Sequence, residues 1–372
     1  MRIVGARLQR VRLALVHEFE TSSHRKAALE HILVRVRGED GTCGWGEIAS
    51  PSHPYFGPET VESCWSVASS YLLPALIGAE WEAPTAAAAH WSLVRGNNFA
   101  KAGVESAVWS LFAATQGLSL AHALGGTAKE VMAGVSLGIE PSVDDLLVQV
   151  RAQVGSGYRR VKLKIAPGWD VEPVRAVRAE FPHLDLHVDA NAAYRALPEH
   201  LAVLTALDDF ALTMIEQPFG VRDFTGHAAL QARLATPLCL DESIETVDDL
   251  RTALRLDAAR IINIKVSRMG GLSESVAAHD IALAAGIPVW CGGMHEFGVG
   301  RATNIALSSL SGFTLPSDVS GSDKYYARDV TTEPILVTDG VVPVATAPGL
   351  GVEVDEAWVA ENTVETAVFG DS

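Results

Sequence analysis

The chain is short of the groups that would direct it to nucleic acid, to a membrane or into an oxidising compartment. Its 372 residues hold 29 lysines and arginines against 45 aspartates and glutamates. The resulting net charge of −16 disfavours nucleic acid and anionic membrane surfaces as partners. Cysteine is scarce: Cys43, Cys64, Cys239 and Cys291 lie far apart with no C-x-x-C pair. That excludes a disulfide framework and a thiolate zinc site, and it suits buried, reduced thiols in a cytoplasm. No apolar run approaches the ~20 residues a membrane span needs. Arg2, Arg7, Arg10 and Arg12 interrupt the first apolar positions, so no leader is expected. What is plentiful is core-forming material, 48% of the chain, enough for a full barrel and a smaller domain.

Residues 3–16 and 31–37 read as strands, joined through a polar segment, EFETSSHRKAAL, with the composition of a surface loop. GWGEI follows the turn EDGTCG as a third strand. Residues 59–77 and 99–116 are helical by periodicity and by their Ala, Glu and Leu content. Residues 1–125 therefore form an α+β domain. From GVSLGI (134–139) the pattern alternates strand and helix, with helices near 142–154, 170–180, 197–208, 223–234, 246–256 and 272–285, several opened by Ser, Asp or Thr as N-caps. Such alternation implies parallel strands and places a (β/α)7-8 TIM-type barrel over 126–332. The tail, 333–372, returns to strand and turn and rejoins the first domain as part of its cap.

Charge recurs along this barrel at nearly even spacing. Lys164, Asp189, Glu216, Asp241 and Lys265 are separated by 25, 27, 25 and 24 residues. Each closes a short apolar, β-branched run, and strand ends of this kind converge on the face where such barrels carry their chemistry. An open sheet would concentrate its site at one switch point instead. Within VKLKI the side chains alternate, so Lys162 and Lys164 both point into the barrel. The same period turns Asn191, Cys239 and Asn263 inward. His187 also faces in, as filling for the barrel.

Asp189, Glu216 and Asp241 offer hard oxygen ligands from adjacent strands, a set suited to Mg²⁺, with Mn²⁺ as a substitute. Zinc is disfavoured without His or Cys at ligand spacing. A metal with lysines on both flanks suits removal of a proton next to a carboxylate: the cation stabilises the enediolate while Lys164 or Lys265 acts as base.

The order K-x-K, D-x-N, E-Q-P, D-E-S, N-I-K and G-G-M resembles the enolase superfamily, specifically its muconate-cycloisomerase-like subgroup. The resemblance covers nearly the whole chain, including GEIASPSHPYFGPE and GRATNIALSSLSGFTLPSD. Within it the chain is similar to the o-succinylbenzoate synthases and to the branch that also holds the N-acylamino acid (N-succinylamino acid) racemases. The resemblance implies Lys164 as general acid/base, Lys265 facing it across the substrate, and Asp189, Glu216 and Asp241 as Mg²⁺ ligands. It ties Arg268 to the racemase branch and puts Tyr55 of the capping domain near the substrate. Lys162, Asn191, Gly293, Met294, His295 and Phe297 complete the expected substrate-binding set. The chain departs from the family at Val266-Ser267, at FETSSHR (19–25), and at His295 and Phe297, two rings that either narrow the acyl pocket as substrate-binding residues or pack against the capping domain.

The expected activity is Mg²⁺-dependent dehydration to o-succinylbenzoate, a step of menaquinone biosynthesis. The alternative is racemisation of N-acylamino acids by proton transfer between the two lysines, and one enzyme can perform both. Ser317-Asp318-Val319-Ser320 lacks the D-x-D that a dipeptide epimerase uses for an ammonium group. A non-catalytic Mg²⁺-carboxylate binder is the remaining class, and it predicts no exchange of the α-proton. The implied partner is a small-molecule carboxylate substrate, and a homo-oligomer is expected.

Overall fold

The computed structural model describes residues 1–20 and 25–371. Three antiparallel strands open the chain: β1 (Ile3–Glu20), β2 (Arg25–Gly38) and β3 (Cys43–Ile48). β1 and β2 run well past their apolar stretches, so most of the polar segment expected as a loop is strand. Paired backbone outweighs side-chain composition there, because a hairpin arm can be polar where no core face exists. Residues 21–24 of FETSSHR lie outside the described residues.

One face of this sheet packs on the helix Asn98–Thr115, which is buried along most of its length. The approach is close because β3 carries glycine where it crosses the helix. A Cβ at Gly46 would lie 2.1 Å from the Gly103 carbonyl oxygen, and one at Gly44 would lie 2.3 Å from that of Ala107. The 59–77 stretch is a helix interrupted by one π-helical turn at Ala68–Leu72.

After a short strand, β4 (Glu130–Met132), the chain enters a parallel sheet. Its members are β5 (Gly134–Leu137), β6 (Arg160–Lys164), β7 (Asp185–Asp189), β8 (Ile215–Glu216), β9 (Leu238–Leu240), β10 (Ile261–Ile264) and β11 (Val289–Cys291). They are hydrogen-bonded in chain order, from β5 at one edge to β11 at the other. The two edges are joined through Ser317–Asp318: Gly134 N–H donates to the Ser317 carbonyl at 2.8 Å, and Asp318 N–H donates to the Cys291 carbonyl at 2.8 Å. The barrel thus has seven regular strands and an irregular eighth position.

Six crossover helices match the predicted ones to within three residues at each end. Ser142 and Thr246 cap two of them through the Asp145 and Asp249 amides. A seventh helix, Gly298–Ser308, follows β11 and is buried throughout. The tail forms β12 (Val341–Pro343), antiparallel to β4, and β13 (Thr363–Gly370), which pairs with β1 over Gly5↔Gly370 to Val11↔Thr363. The capping domain is therefore built from both ends of the chain.

Candidate active site

In β6 the alternation puts Val161 and Leu163 against the helices, both essentially fully buried, and turns the two lysines to the barrel axis. Parallel register sets Lys164 beside Asp189, and Asp189 beside Glu216. Asp241 follows β9 and Lys265 follows β10. One oxygen from each of Asp189, Glu216 and Asp241 lies within 4.8 Å of the others, and all three residues are buried.

Each of these carboxylates gives its two oxygens to different kinds of partner. Asp189 Oδ1 accepts the Asn191 backbone N–H at 2.9 Å, Glu216 Oε1 accepts from Asn263 Nδ2 at 2.8 Å, and Asp241 Oδ1 is held by Arg268 Nη1. The remaining oxygens each meet a lysine. Lys164 Nζ is 2.5 Å from Asp189 Oδ2, Lys162 Nζ is 3.3 Å from Glu216 Oε2, and Lys265 Nζ is 2.8 Å from Asp241 Oδ2. Three carboxylates thus stand in a row with one oxygen fixed and the other shared with a cation.

The electrostatics sort these groups. Burial opposes ionisation of Glu216, Asp189 and Asp241 add repulsion, and the carboxyl is pushed up to about 8 against the pull of Lys162. Burial also disfavours Asp241, but Lys265 and Arg268 outweigh it and bring it down to about 2. Lys162 is desolvated, yet Asp318, Glu216 and Asp189 hold it well above the usual lysine range. Buried hard-oxygen donors at this separation, one of them kept from ionising partly by the other two, are a donor set that fits an oxygen-seeking divalent cation.

The other predicted residues fall into two groups. Asn191, with φ 42°, accepts from Lys164 at Oδ1 (2.7 Å) and donates to Glu242 Oε1 at 2.9 Å. Met294 Sδ is 3.9 Å from Lys265 Nζ. Gly292 is required rather than permitted: a Cβ there would lie 2.4 Å from Asn263 Oδ1 and 2.6 Å from Lys265 Cε. At Gly293 a Cβ would come 2.8 Å from the Asp318 carbonyl oxygen. The glycine pair therefore makes room for the site's own residues. Tyr55 is exposed in the capping domain, its ring 5.5 Å from His53.

Two expectations are corrected. Phe297 does not border a pocket: it is 0% exposed, its ring is 4.7 Å from His31 and 5.2 Å from Tyr326, and its N–H donates to Glu47 Oε1 at 2.9 Å. Its neighbours are the capping sheet and the segment after the barrel, because the chain turns outward at His295, where φ is 65°. His295 stacks on Tyr325 at 4.8 Å. Arg268, expected in the substrate-binding set, faces Asp241 and the Ile244 and Asn263 carbonyls, so its guanidinium supports a carboxylate of the row.

Sequence reasoning passed over Asp318, Glu242 and Phe56. Asp318 closes the barrel seam and binds Lys162 and Arg160, each at 2.7 Å. Its position at the end of the irregular eighth segment was the available signal. Glu242 directly follows Asp241, and burial together with Asp241 and Asp189 pushes it up to about 7. Phe56 reaches down from the capping domain to place its ring 4.6 Å from Lys265 Nζ.

Comparison with known proteins agrees with this geometry. Residues 4–125 match the mandelate racemase / muconate lactonizing enzyme N-terminal domain, and residues 145–358 match the enolase C-terminal domain-like family. An o-succinylbenzoate synthase of Geobacillus kaustophilus is 46% identical, covering 97% of this chain and 96% of the relative. An N-succinylamino acid racemase of Thermus thermophilus is 42% identical over 98% of each chain. The crystal structure of an enolase superfamily member from Listeria innocua superposes with a TM-score of 0.96 at 39% identity, covering 100% of this chain and 99% of that one.

Proposed function

The chain belongs to the enolase superfamily, and on that premise we propose that it is an o-succinylbenzoate synthase, a divalent-metal-dependent lyase that dehydrates a hydroxy-cyclohexadiene carboxylate. The observation that carries the reading is the row of three buried carboxylates flanked by Lys164 at one end and Lys265 at the other. Asp189, Glu216 and Asp241 would hold a Mg²⁺ or Mn²⁺ ion, which would supply positive charge to offset the negative charge that builds as the α-proton leaves.

The chain's own residues do the rest. Lys164, with an ammonium that Asp189 and Asn191 hold in place, takes the α-proton onto Nζ in its neutral form. The electrons of the broken C–H bond pass into the ring, the C–O bond breaks, and the departing hydroxyl takes the proton back from Lys164 and leaves as water. Lys265 is raised above the usual lysine range, because Asp241 overcomes the effect of burial. It faces the developing charge as a cation, and Phe56 and Met294 shield it from solvent.

The second reading, N-succinylamino acid racemase, rests on the same pair of lysines. A proton taken by one is returned by the other on the opposite face, and the Thermus relative carries that name. The two reactions share their first half, so both belong to one site.

The test compares Lys164→Ala and Lys265→Ala with the parent. Each variant should lose turnover by ~10²–10⁴-fold. With enantiopure N-succinylamino acids in D₂O, each should retain α-proton exchange for at most one hand. Equal exchange of both enantiomers by Lys265→Ala contradicts the two-base arrangement, and full dehydration in excess chelator contradicts the metal.

A further inference from the structure

Like the buried Arg301, which donates to the Ser320 and Glu296 carbonyls, Lys324 has no carboxylate against it, unlike the cations of the row. Lys162, Lys164, Lys265, Arg160 and Arg268 each lie against a carboxylate. Lys324 instead donates from Nζ to the Ser136 backbone carbonyl at 2.6 Å, with the Tyr325 ring 5.2 Å away. Among the described residues no carboxylate lies within 4.0 Å of it. Asp318 is the acid whose field it feels most, but that carboxylate is committed: Oδ1 to Arg160, and Oδ2 to Lys162 and the Ser136 hydroxyl. Burial lowers Lys324 to about 7, with Arg160, Arg301 and Lys162 pushing the same way and Asp318 against. A half-buried ammonium with no counter-ion costs free energy until an anion reaches it.

Its place in the fold says which anion. Ser136 lies one residue before the end of β5, in register with Lys162 of β6. Its carbonyl points away from β6, toward the seam that Ser317–Asp318 closes. The carboxylate row starts on β7, so β6 with Lys164 separates its near end from the strand that Lys324 meets. Building on the proposed function, we propose that Lys324 binds a second carboxylate on the substrate, the far end of a succinyl arm, while the carboxylate next to the reacting carbon lies at the row. Both substrate classes carry that arm, so one cation would serve the lyase and the racemase reactions alike.

The experiment measures binding separately from turnover. Calorimetric dissociation constants with Mg²⁺ present are compared for N-succinylglycine and N-acetylglycine, which differ in the distal carboxylate, on the parent, Lys324→Met and Lys324→Arg. Loss of a charge-assisted hydrogen bond should weaken N-succinylglycine by ~10–100-fold in Lys324→Met. N-acetylglycine should change by less than about threefold, and Lys324→Arg should recover most of the difference. Equal weakening of both ligands, or a succinyl preference that survives in Lys324→Met, overturns the proposal, because a strut under β5 would not discriminate between them. Deuterium exchange of N-succinylamino acids by the parent reports on the functional reading. Preference without exchange leaves Lys324 as the carboxylate site and removes the chemistry, whereas exchange without preference removes Lys324 alone.

Discussion

Lys162, Lys164 and Lys265 carry one side chain into one barrel, and their surroundings give them different work. Lys162 meets Asp318, Glu216 and Asp189 at 2.7, 3.3 and 3.6 Å and sits 4.8 Å above the Trp290 ring. A cation so surrounded stays charged and balances the row. Lys164 has one carboxylate and one amide, and it is the most exposed of the three, which suits a group that must gain and lose a proton. Phe297 makes the same point in reverse. Its family position suggested a specificity residue, but its burial against His31 and Tyr326 makes it a packing residue. Phe297→Ser should therefore cost ~3–5 kcal/mol of stability, as large-to-small core changes do, and leave the ratio of succinyl to bulkier acyl substrates unchanged. Thermal unfolding and kcat/KM for two acyl groups measure both. A stable variant with widened acyl acceptance would return Phe297 to the pocket.

At the scale of elements, the strands and crossover helices were legible because five successive apolar runs, β6 to β10, end in a charge and four of the six helices open on a Ser, Asp or Thr cap. The helix Gly298–Ser308 was not, since it opens on Gly-Val-Gly with no side-chain cap and its polar residues are buried along with its apolar ones between barrel and cap. Arg268 entered the substrate-binding set by resemblance alone, and only the packed structure sends it to Asp241. Helix N-termini, by contrast, are served by distant acids that local sequence cannot reveal. Glu105 of the capping helix accepts the Ser273 N–H at 3.1 Å, at the start of the barrel helix Leu272–Ala284. Gly271, with φ 135°, allows this approach, since a Cβ there would fall 1.9 Å from the carboxylate. Burial pushes Glu105 up to about 7 despite the Ser273 donors. The folded protein then holds a proton that the unfolded chain releases near pH 4.5, so stability contributed at low pH is lost as pH rises from about 4.5 through 7. The loss is on the order of 3 kcal/mol. Glu105→Gln is neutral throughout. Its unfolding free energy relative to the parent should therefore rise between pH 5 and pH 8, and denaturant curves that stay parallel across that range would refute the assignment.

Across the whole molecule, the cap and the barrel meet at the site through acids and rings on both sides. Glu47 of β3 accepts from the Phe297 and Gly300 amides at 2.9 and 2.7 Å and pairs with His31 at 2.7 Å. Phe56 reaches Lys265 from the same domain. The cap therefore holds the start of the helix after β11 and covers a lysine of the row, which makes the site a property of the assembled fold. The row itself is under electrostatic tension, because Asp189 and Asp241 help to keep Glu216 from ionising. A divalent ion that binds these carboxylates in the folded state and not in the unfolded chain stabilises the fold by mass action, about 2.7 kcal/mol at one hundred times its dissociation constant. In a chain of this size such a gain corresponds to a rise in Tm of several degrees. Titration with Mg²⁺ should raise Tm progressively, chelator should reverse it, and Glu216→Gln should reduce the rise by weakening the ion's hold while retaining the Asn263 contact. K⁺ at matched ionic strength should not reproduce the effect. A Tm indifferent to Mg²⁺ and Mn²⁺ at millimolar concentration would mean that the three carboxylates are balanced by Lys162, Lys164 and Lys265 alone, and the row would then be a salt-bridge network rather than a metal site.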